Sequence, residues 1–443
     1  MPIYDCRFKI CEFMDVFTYN NLYRAYLDCR KTKRKTANAL KFEIELENNL
    51  QLLLAELKNK EYKPGRSICF VVTKPVPREI FAADFRDRVV HHLLIREIIK
   101  YGERNFIFDS YACREDKGTH KAIAKLKKFI RQITNLSASS QSSPRDCDEA
   151  EDASLQNGST APIAIGDYEA ITRVFYAQLD IKGFFMAIDQ RILYKLVEKL
   201  VEKQNRPRQW KQDVLWLAGV IIFHRPAENY ITKGDRSLFN LIPPHKSLRC
   251  QPKGRGLPIG NYTSQFFANL YLNELDQFVK RELKCKHYIR YVDDFILLYA
   301  DKEKLKYFKG GINAFLKDKL RLELNSNKIK IQSLDKGIDF LGYFIKPDYA
   351  LIRQKVVNRL KNKLSCVNFA DVNSLNELEY LNKNLAMINS YYGHFKHAES
   401  FNLRKNIYNN HLGELKGAFL LKEGFVSLKI KRQNKKQPAW AGC

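Results

Sequence analysis

The order of apolar and polar positions divides the chain into helical and extended stretches before any chemistry is considered. Between residues 15 and 60, Phe17, Leu22 and Tyr26, then Leu40, Ile44, Leu50, Leu54 and Leu57, recur at helical spacing. The basic run Arg30 to Lys35 interrupts them, which predicts helices around a basic loop. Ser67 to Thr73 reads as a strand, and Lys74-Pro75-Val76-Pro77-Arg78 as an irregular turn broken by its prolines. A helix is expected over Asp87 to Lys100, a strand over Val174 to Asp180, and a second helix over residues 188–203. Thr263 to Leu283 places Phe267, Leu270, Tyr271, Leu275 and Phe278 on one helical face. Two short β-branched and aromatic runs, Tyr288 to Arg290 and Phe295 to Tyr299, flank Tyr291-Val292-Asp293-Asp294 and predict a hairpin with acid at its turn. From about residue 350 the chain reads as helical and rich in Lys and Arg, ending in Lys429, Lys431, Arg432, Lys435 and Lys436. No internal repeat is present.

Composition changes this picture at one place. Residues 137–170 are dominated by Ser, Ala, Asp and Glu, with seven acids (Asp146, Asp148, Glu149, Glu151, Asp152, Asp167, Glu169) against one base, Arg145. Such a stretch predicts a disordered surface insertion whose acid competes weakly for a basic groove. The whole chain, 443 residues with 45% hydrophobic and 12% aromatic content, is long enough for two or three domains with real cores. Its formal charge of +27 implies a polyanionic partner, with nucleic acid the first candidate. A membrane surface would attract the same charge, but residues 1–29 are studded with charged groups and no apolar run approaches ~18 residues. Neither a signal peptide nor a membrane span is expected. Ten cysteines, from Cys6 and Cys11 to Cys366 and Cys443, form no C-x-x-C pair or zinc spacing, and read as reduced, mostly buried thiols of a cytoplasmic protein.

The candidate chemistry rests on three carboxylates. Asp293 and Asp294 are either a solvated turn or a pair whose repulsion is offset by a cation. Asp180, which ends the strand Phe175 to Leu179, is either the N-cap of a following helix or a third ligand. A strand-end Asp with an Asp-Asp hairpin is what two Mg²⁺ ions need to bridge a nucleoside triphosphate and a primer 3′ hydroxyl, with Mn²⁺ as a substitute. The protein would then contribute positioning and charge stabilisation.

With these residues in view, the sequence resembles a reverse transcriptase over about residues 66–349. Asp180 with Phe184-Phe185 resembles the first palm motif, and Gly256 to Gln265 the motif lining the template and incoming nucleotide. Tyr291 to Asp294 then resembles the catalytic hairpin, Leu322 to Asn325 with Lys328 the next motif, and Phe340-Leu341-Gly342-Tyr343 the primer grip. The resemblance implies metal-holding positions at Asp180, Ile181, Asp293 and Asp294. Nucleotide-binding positions follow at Lys74, Arg78, Phe185, Ile259, Gly260 and Gln265. Phe185 stands where the family places an aromatic gate against the ribose 2′ hydroxyl, while Phe184 reads as a core residue, since neighbours on an extended segment face opposite ways. Lys74 and Arg78 resemble a triphosphate clamp or are solvated surface charges. Lys328 is a candidate proton donor to pyrophosphate, with Lys330 close by.

Most members of the family have Gln in place of Ile259 and Pro in place of Gln265. The variant here resembles the polymerases of diversity-generating retroelements, as do Arg78 to Ala83, Arg86 to His92, and Tyr391 to His397. That resemblance implies error-prone cDNA synthesis opposite template adenines, a structured template RNA, an RNA/cDNA duplex, and a pentameric accessory variability protein in a bacterial or phage-encoded system. Replacing an amide by a branched alkyl removes a hydrogen-bonding group worth ~1–3 kcal/mol, which relaxes selection. His394 and His397 are spaced for one helix face, which suggests either a metal pair or, with no carboxylate partner evident, helix-surface or nucleic-acid contacts. The alternatives are a group II intron-like polymerase of ordinary fidelity and a non-catalytic RNA-binding scaffold. The expected fold is α+β, a right hand with fingers over 1–173, a palm of antiparallel strands over 174–349, and a helical basic thumb over 350–443.

Overall fold

In the computed structural model, which describes residues 15–31, 33, 36–74, 76–139, 173–367 and 377–431, the N-terminal apolar stripe folds as three helices, Tyr19–Arg30, Ala37–Ile44 and Leu46–Lys58. Thr18 caps the first by accepting from the Asn21 N–H. Leu22, Tyr26, Leu50, Leu54 and Leu57 are buried as expected. Leu40 and Ile44 are not: they are 50% and 81% exposed, and Ala39 and Phe42 take the inner face. The helix breaks at Glu45, so the stripe restarts there and does not run continuously from residue 40 to 57.

Twelve strands are present among the described residues: β1 (Ser67–Val72), β2 (Arg78–Ala82), β3 (Phe175–Asp180), β4 (Tyr230–Thr232), β5 (His287–Tyr291), β6 (Asp294–Tyr299), β7 (Lys330–Ser333), β8 (Ile338–Phe340), β9 (Tyr343–Ile345), β10 (Ala350–Ile352), β11 (Phe419–Lys422) and β12 (Ser427–Ile430). Together with the helices they make an α+β architecture in two compact units. One unit comprises Met1–Gly118, Tyr176–Leu297 and Lys302–Ile331, the other Thr119–Phe175, Leu298–Asp301 and Gln332–Cys443.

The first unit holds a small sheet in the order β2-β1-β4, with β1 and β2 antiparallel and β4 parallel to β1. Arg78, expected in the proline turn, instead opens β2 opposite Val72, because Pro77 is tolerated as the residue that leads into a strand. A four-stranded sheet runs β5-β6-β3-β7, so the end of β3 lies beside the start of β6. The helix Tyr262–Gln277 is buried on nearly every side and passes into a π-helical turn, Phe278–Glu282. The helix Phe85–Asn105, longer at both ends than expected, crosses it closely. A Cβ on Gly102 would come within 2.5 Å of the Phe266 ring, so this crossing needs glycine.

In the second unit the helix Thr119–Ser139 runs into the first three residues of the expected acidic insertion, and residues 140–170 of that insertion lie outside the described residues. A three-stranded sheet, β10-β9-β8, spans residue 349, with Ile345 opposite Ala350. Beyond it come the helices Gln354–Ser365, Glu377–Phe395 and Phe401–Asn410, followed by the β11–β12 hairpin. That hairpin corrects the expectation of a wholly helical C-terminal section. Its turn takes Glu423, Gly424 and Phe425 through positive φ, and its exposed lysines hide the strand pattern. Arg432, Lys435 and Lys436 lie outside the described residues. Of the cysteines, Cys29, Cys69 and Cys285 are buried, whereas Cys113, Cys250 and Cys366 are exposed, so burial is less general than expected. Among the described residues no helix is long and apolar enough to cross a membrane.

Candidate active site

Sheet order brings two of the carboxylates together. Asp180 is the last residue of β3 and Asp294 the first of β6, and these strands are neighbours. Gln178 on β3 donates through Nε2 to Asp294 Oδ1 at 3.4 Å. Asp293 stands in the two-residue turn between β5 and β6, after Val292, whose φ of +56° is left-handed. A β-branched residue rarely adopts that conformation, so the turn is strained.

The electrostatics are those of a site short of positive charge. Burial, then the charge of Asp180, push Asp293 up to about 6, opposed by Lys328 and Arg78. Burial pushes Asp294 up to about 7, with Asp180 and Asp293 adding repulsion against the Gln178 hydrogen bond and Lys328. Asp180 is held on both oxygens, by Lys328 Nζ at 2.8 Å and Asn325 Nδ2 at 3.0 Å. Its backbone carbonyl accepts from the Asn325 N–H at 2.8 Å, while the Lys182 N–H donates to the Glu323 carbonyl at 2.9 Å. These two bonds flank the Ile181–Leu324 bridge and leave the Ile181 carbonyl directed away from Leu324.

Hard carboxylate oxygens that repel one another into the neutral range fit a divalent cation. Among the described residues no group of three or more His, Cys, Asp or Glu is gathered closely enough to hold one by itself. Hard divalent cations bound through only one or two carboxylates are commonly completed by substrate oxygens and water.

The remaining expected residues fall into two groups. Phe185 and Ile259 both pack against the buried cluster of Cys69, Phe81, Met186 and Leu248. They are fixed by backbone bonds, Leu257 N–H to Phe185 C=O at 2.8 Å and Phe81 N–H to Ile259 C=O at 2.9 Å. Phe184 is buried, as expected, but for another reason: Phe184–Ala187 is a short helical turn and not an extended segment. Gly260 has φ +122°, and a Cβ there would meet Ile80 Cγ2 at 2.9 Å and the Phe81 carbonyl at 3.1 Å, so glycine lets this loop lie on β2. Gln265 is exposed on the first turns of the helix Tyr262–Gln277. Lys74 lies in the exposed bend between β1 and β2; of the two clamp candidates it is Arg78 whose charge acts on Asp293. Lys328 stands in a 3₁₀ turn against Asp180, and Lys330 opens β7.

Phe340 and Tyr343 face each other across the tight β8–β9 turn, in which Leu341 and Gly342 take φ of +51° and +88°. The Tyr343 hydroxyl donates to the His394 carbonyl at 2.8 Å and lies 3.1 Å from Nδ1 of both His120 and His394. His397 falls beyond the end of its helix at Phe395 and stacks on His120 at 3.8 Å, which corrects its placement on one helix face with His394. Burial lowers the titration of all three imidazoles.

Sequence reasoning missed the ion pair beneath the hairpin, Arg290 with Asp276, of which 1% and 0% of the side chains are exposed. The available signal was an arginine at an inward strand position, in step with Tyr288.

Residues 109–345 match the profile of the family described as reverse transcriptase (RNA-dependent DNA polymerase). Protein YkfC of Escherichia coli (strain K12) is 22% identical over 341 residues, covering 69% of this chain and 73% of its own. The putative COX1/OXI3 intron 2 protein of Saccharomyces cerevisiae is 25% identical over 119 residues, which are 27% of this chain and 13% of the relative. A telomerase structure from Candida albicans, in complex with a fragment of telomeric RNA, aligns with a TM-score of 0.42 and 12% identity over 83% of this chain and 63% of its own. With the family profile matching more than half of its length, the chain belongs to the reverse transcriptases, and its α+β architecture is the right-hand polymerase fold of that family.

Proposed function

We propose that this polymerase serves a diversity-generating retroelement, copying a template RNA into cDNA that carries errors opposite template adenines and replaces a variable region of a target gene. RNA-directed DNA polymerisation itself is the activity of its family. The observation that carries the finer reading is the packing of Ile259 beside Phe185 in one apolar cluster. An alkyl group at this position offers no hydrogen bond to an incoming nucleotide, so a correct pair gains less over an incorrect one.

The family uses divalent metal ions, which when bound activate the primer 3′ hydroxyl and neutralise the departing pyrophosphate. Asp180, Asp293 and Asp294, with the Ile181 carbonyl, are the groups that would hold them. Arg78, whose charge already acts on Asp293, is suited to clamp triphosphate oxygens. Phe185 closes the sugar side against a 2′ hydroxyl. Lys328, whose Nζ lies against Asp180, would be the proton donor to pyrophosphate. Template RNA, the RNA/cDNA duplex and deoxynucleoside triphosphates are the substrates; the proposed partner is a pentameric accessory protein, and the proposed location the cytoplasm. The assignment of fingers to 1–173, palm to 174–349 and thumb to 350–443 belongs to the same proposal.

The test is extension on a defined RNA template with Mg²⁺ and deoxynucleotides, with and without the accessory protein, followed by sequencing of the cDNA. Errors concentrated opposite adenine, lowered by Ile259→Gln, are expected. Uniformly accurate cDNA would instead favour an intron-type polymerase, the reading that similarity to the yeast intron 2 protein supports. An unchanged error spectrum in Ile259→Gln would remove that residue from the account.

A further inference from the structure

The reading above leaves the buried base of the catalytic hairpin without a role. Arg290 sits on β5 two residues before Val292, and its guanidinium is bonded on every side within the protein. Nε and Nη2 donate to the two oxygens of Asp276 at 2.7 and 2.6 Å, and Nη2 also donates to Ser110 Oγ at 3.1 Å. Nη1 donates to Asn269 Oδ1 at 3.3 Å and to the backbone carbonyl of Val292 at 2.9 Å. Asp276 additionally accepts from the Tyr288 hydroxyl at 2.7 Å, and Asn269 donates to the Ala112 carbonyl at 2.8 Å. The backbone of Arg290 joins in as well, pairing with Asp109 and Tyr111 through bonds of 3.0 Å each. Three separate parts of the chain, the helix Tyr262–Gln277, residues 109–112 and the hairpin, therefore meet on one side chain.

Only one of these bonds reaches the turn, and it reaches the residue that needs holding. Val292 is the left-handed, β-branched position directly before Asp293. Left free, its backbone favours β or right-handed conformations, and either would swing the two following carboxylates away from Asp180. We propose that Arg290 is a positioning residue: its fork, anchored by Asp276, grips the Val292 carbonyl and fixes the strained turn that aims Asp293 and Asp294. A lysine ammonium retains the charge opposite Asp276 but lacks the planar fork that serves Asp276 and Val292 together. This inference rests on the polymerase reading for its functional consequence and on the hairpin geometry alone for its structural one.

The experiment compares wild type, Arg290→Lys and the double variant Arg290→Lys/Val292→Gly. Two readouts are taken: hydrogen exchange of the Tyr288–Tyr299 hairpin in metal-free protein, and the Mg²⁺ dependence of extension on RNA. Arg290→Lys is expected to speed exchange at the turn while the helix Tyr262–Gln277 stays protected. It should also lower kcat by about 10–10²-fold and raise the Mg²⁺ needed for half-maximal rate, with little change in the KM for deoxynucleotide. Glycine adopts the left-handed conformation without strain, so Val292→Gly should recover much of the rate lost in Arg290→Lys. Unchanged exchange at the turn in Arg290→Lys overturns the proposal. So does a loss of protection throughout the unit that Val292→Gly does not repair, for Arg290 would then be an ordinary core ion pair. A wild type that fails to extend any primer refutes the polymerase reading, while the exchange data still decide the role of Arg290.

Discussion

Two groups of acids lie within the same unit of this protein and are treated in opposite ways. Asp276 is fully buried, and both its oxygens are satisfied by Arg290, with Tyr288 adding a third donor. Asp293 and Asp294, seventeen and eighteen residues further along, are partly buried beside Asp180 with far less compensation, and repulsion adds to burial in raising both. A buried charge persists when its partners are supplied by the protein. Where the protein withholds them, the remaining interaction is available to a ligand. On the proposed reading the first acid belongs to the architecture and the second pair to the chemistry.

The sharpest way to break this distinction is to neutralise one acid of each kind. Asp293→Asn should lower RNA-templated synthesis by at least ~10²–10³-fold, since it removes charge stabilisation at the reacting centre. RNA binding and metal-free stability should be kept, because the substitution removes repulsion from the folded state. Extension assays, RNA-binding titrations and thermal unfolding in chelator measure the three. An active Asp293→Asn enzyme would sink the metal assignment, and a destabilised one would sink the contrast with Asp276.

Asp276→Asn should do the reverse. It leaves the Arg290 guanidinium buried without its counter-charge, a situation that costs about 3–5 kcal/mol. Denaturant unfolding of the metal-free protein reads that loss directly. Activity should fall as the folded fraction falls. If Asp276→Asn is as stable as wild type, the ion pair contributes little and the Arg290 fork is held by Asn269 and Ser110 instead.

Much of this site was legible in the sequence, and the reason lies in local pattern. The hairpin announces itself by two apolar runs around Asp293 and Asp294, and the strand before Asp180 and the helix after Asn261 follow from spacing within a few residues. What stayed hidden depends on distance. Asp276 and Arg290 are fourteen residues apart on a helix and a strand, and no spacing rule pairs them. Tyr343 meets His120 and His394 across still longer separations. The exposure of Leu40 and Ile44 follows from a helix break at Glu45 that hydrophobicity does not mark. The β11–β12 hairpin was obscured because lysines occupy positions on its exposed face.

The contrast between the two kinds of acid also contributes to how stability responds to pH, which is the smallest effect and the most specific. Asp293 and Asp294 titrate near 6 and 7 in the folded chain against a usual 3.8. Through these two groups the folded state binds more protons than the unfolded state between about pH 4 and 7, so their contribution to stability falls as pH rises, while the buried imidazoles, His91 above all, contribute in the opposite sense. The contribution of the two carboxyls is fully present below the unfolded value and lost above the folded ones. Measured against Asp294→Asn, a comparison in which the imidazole contributions cancel, metal-free wild type should accordingly lose about 2–4 °C between pH 5.5 and pH 8 for a chain of this size. The difference arises because the more strongly raised of the two groups no longer ionises in Asp294→Asn. Adding Mg²⁺ with template and deoxynucleotide should remove the carboxylate part of the slope in wild type, because bound cations favour the ionised carboxylates that high pH produces. Parallel pH profiles of wild type and Asp294→Asn would mean that Asp294 is already compensated within the protein, as Asp276 is, and the division between structural and chemical acid would collapse.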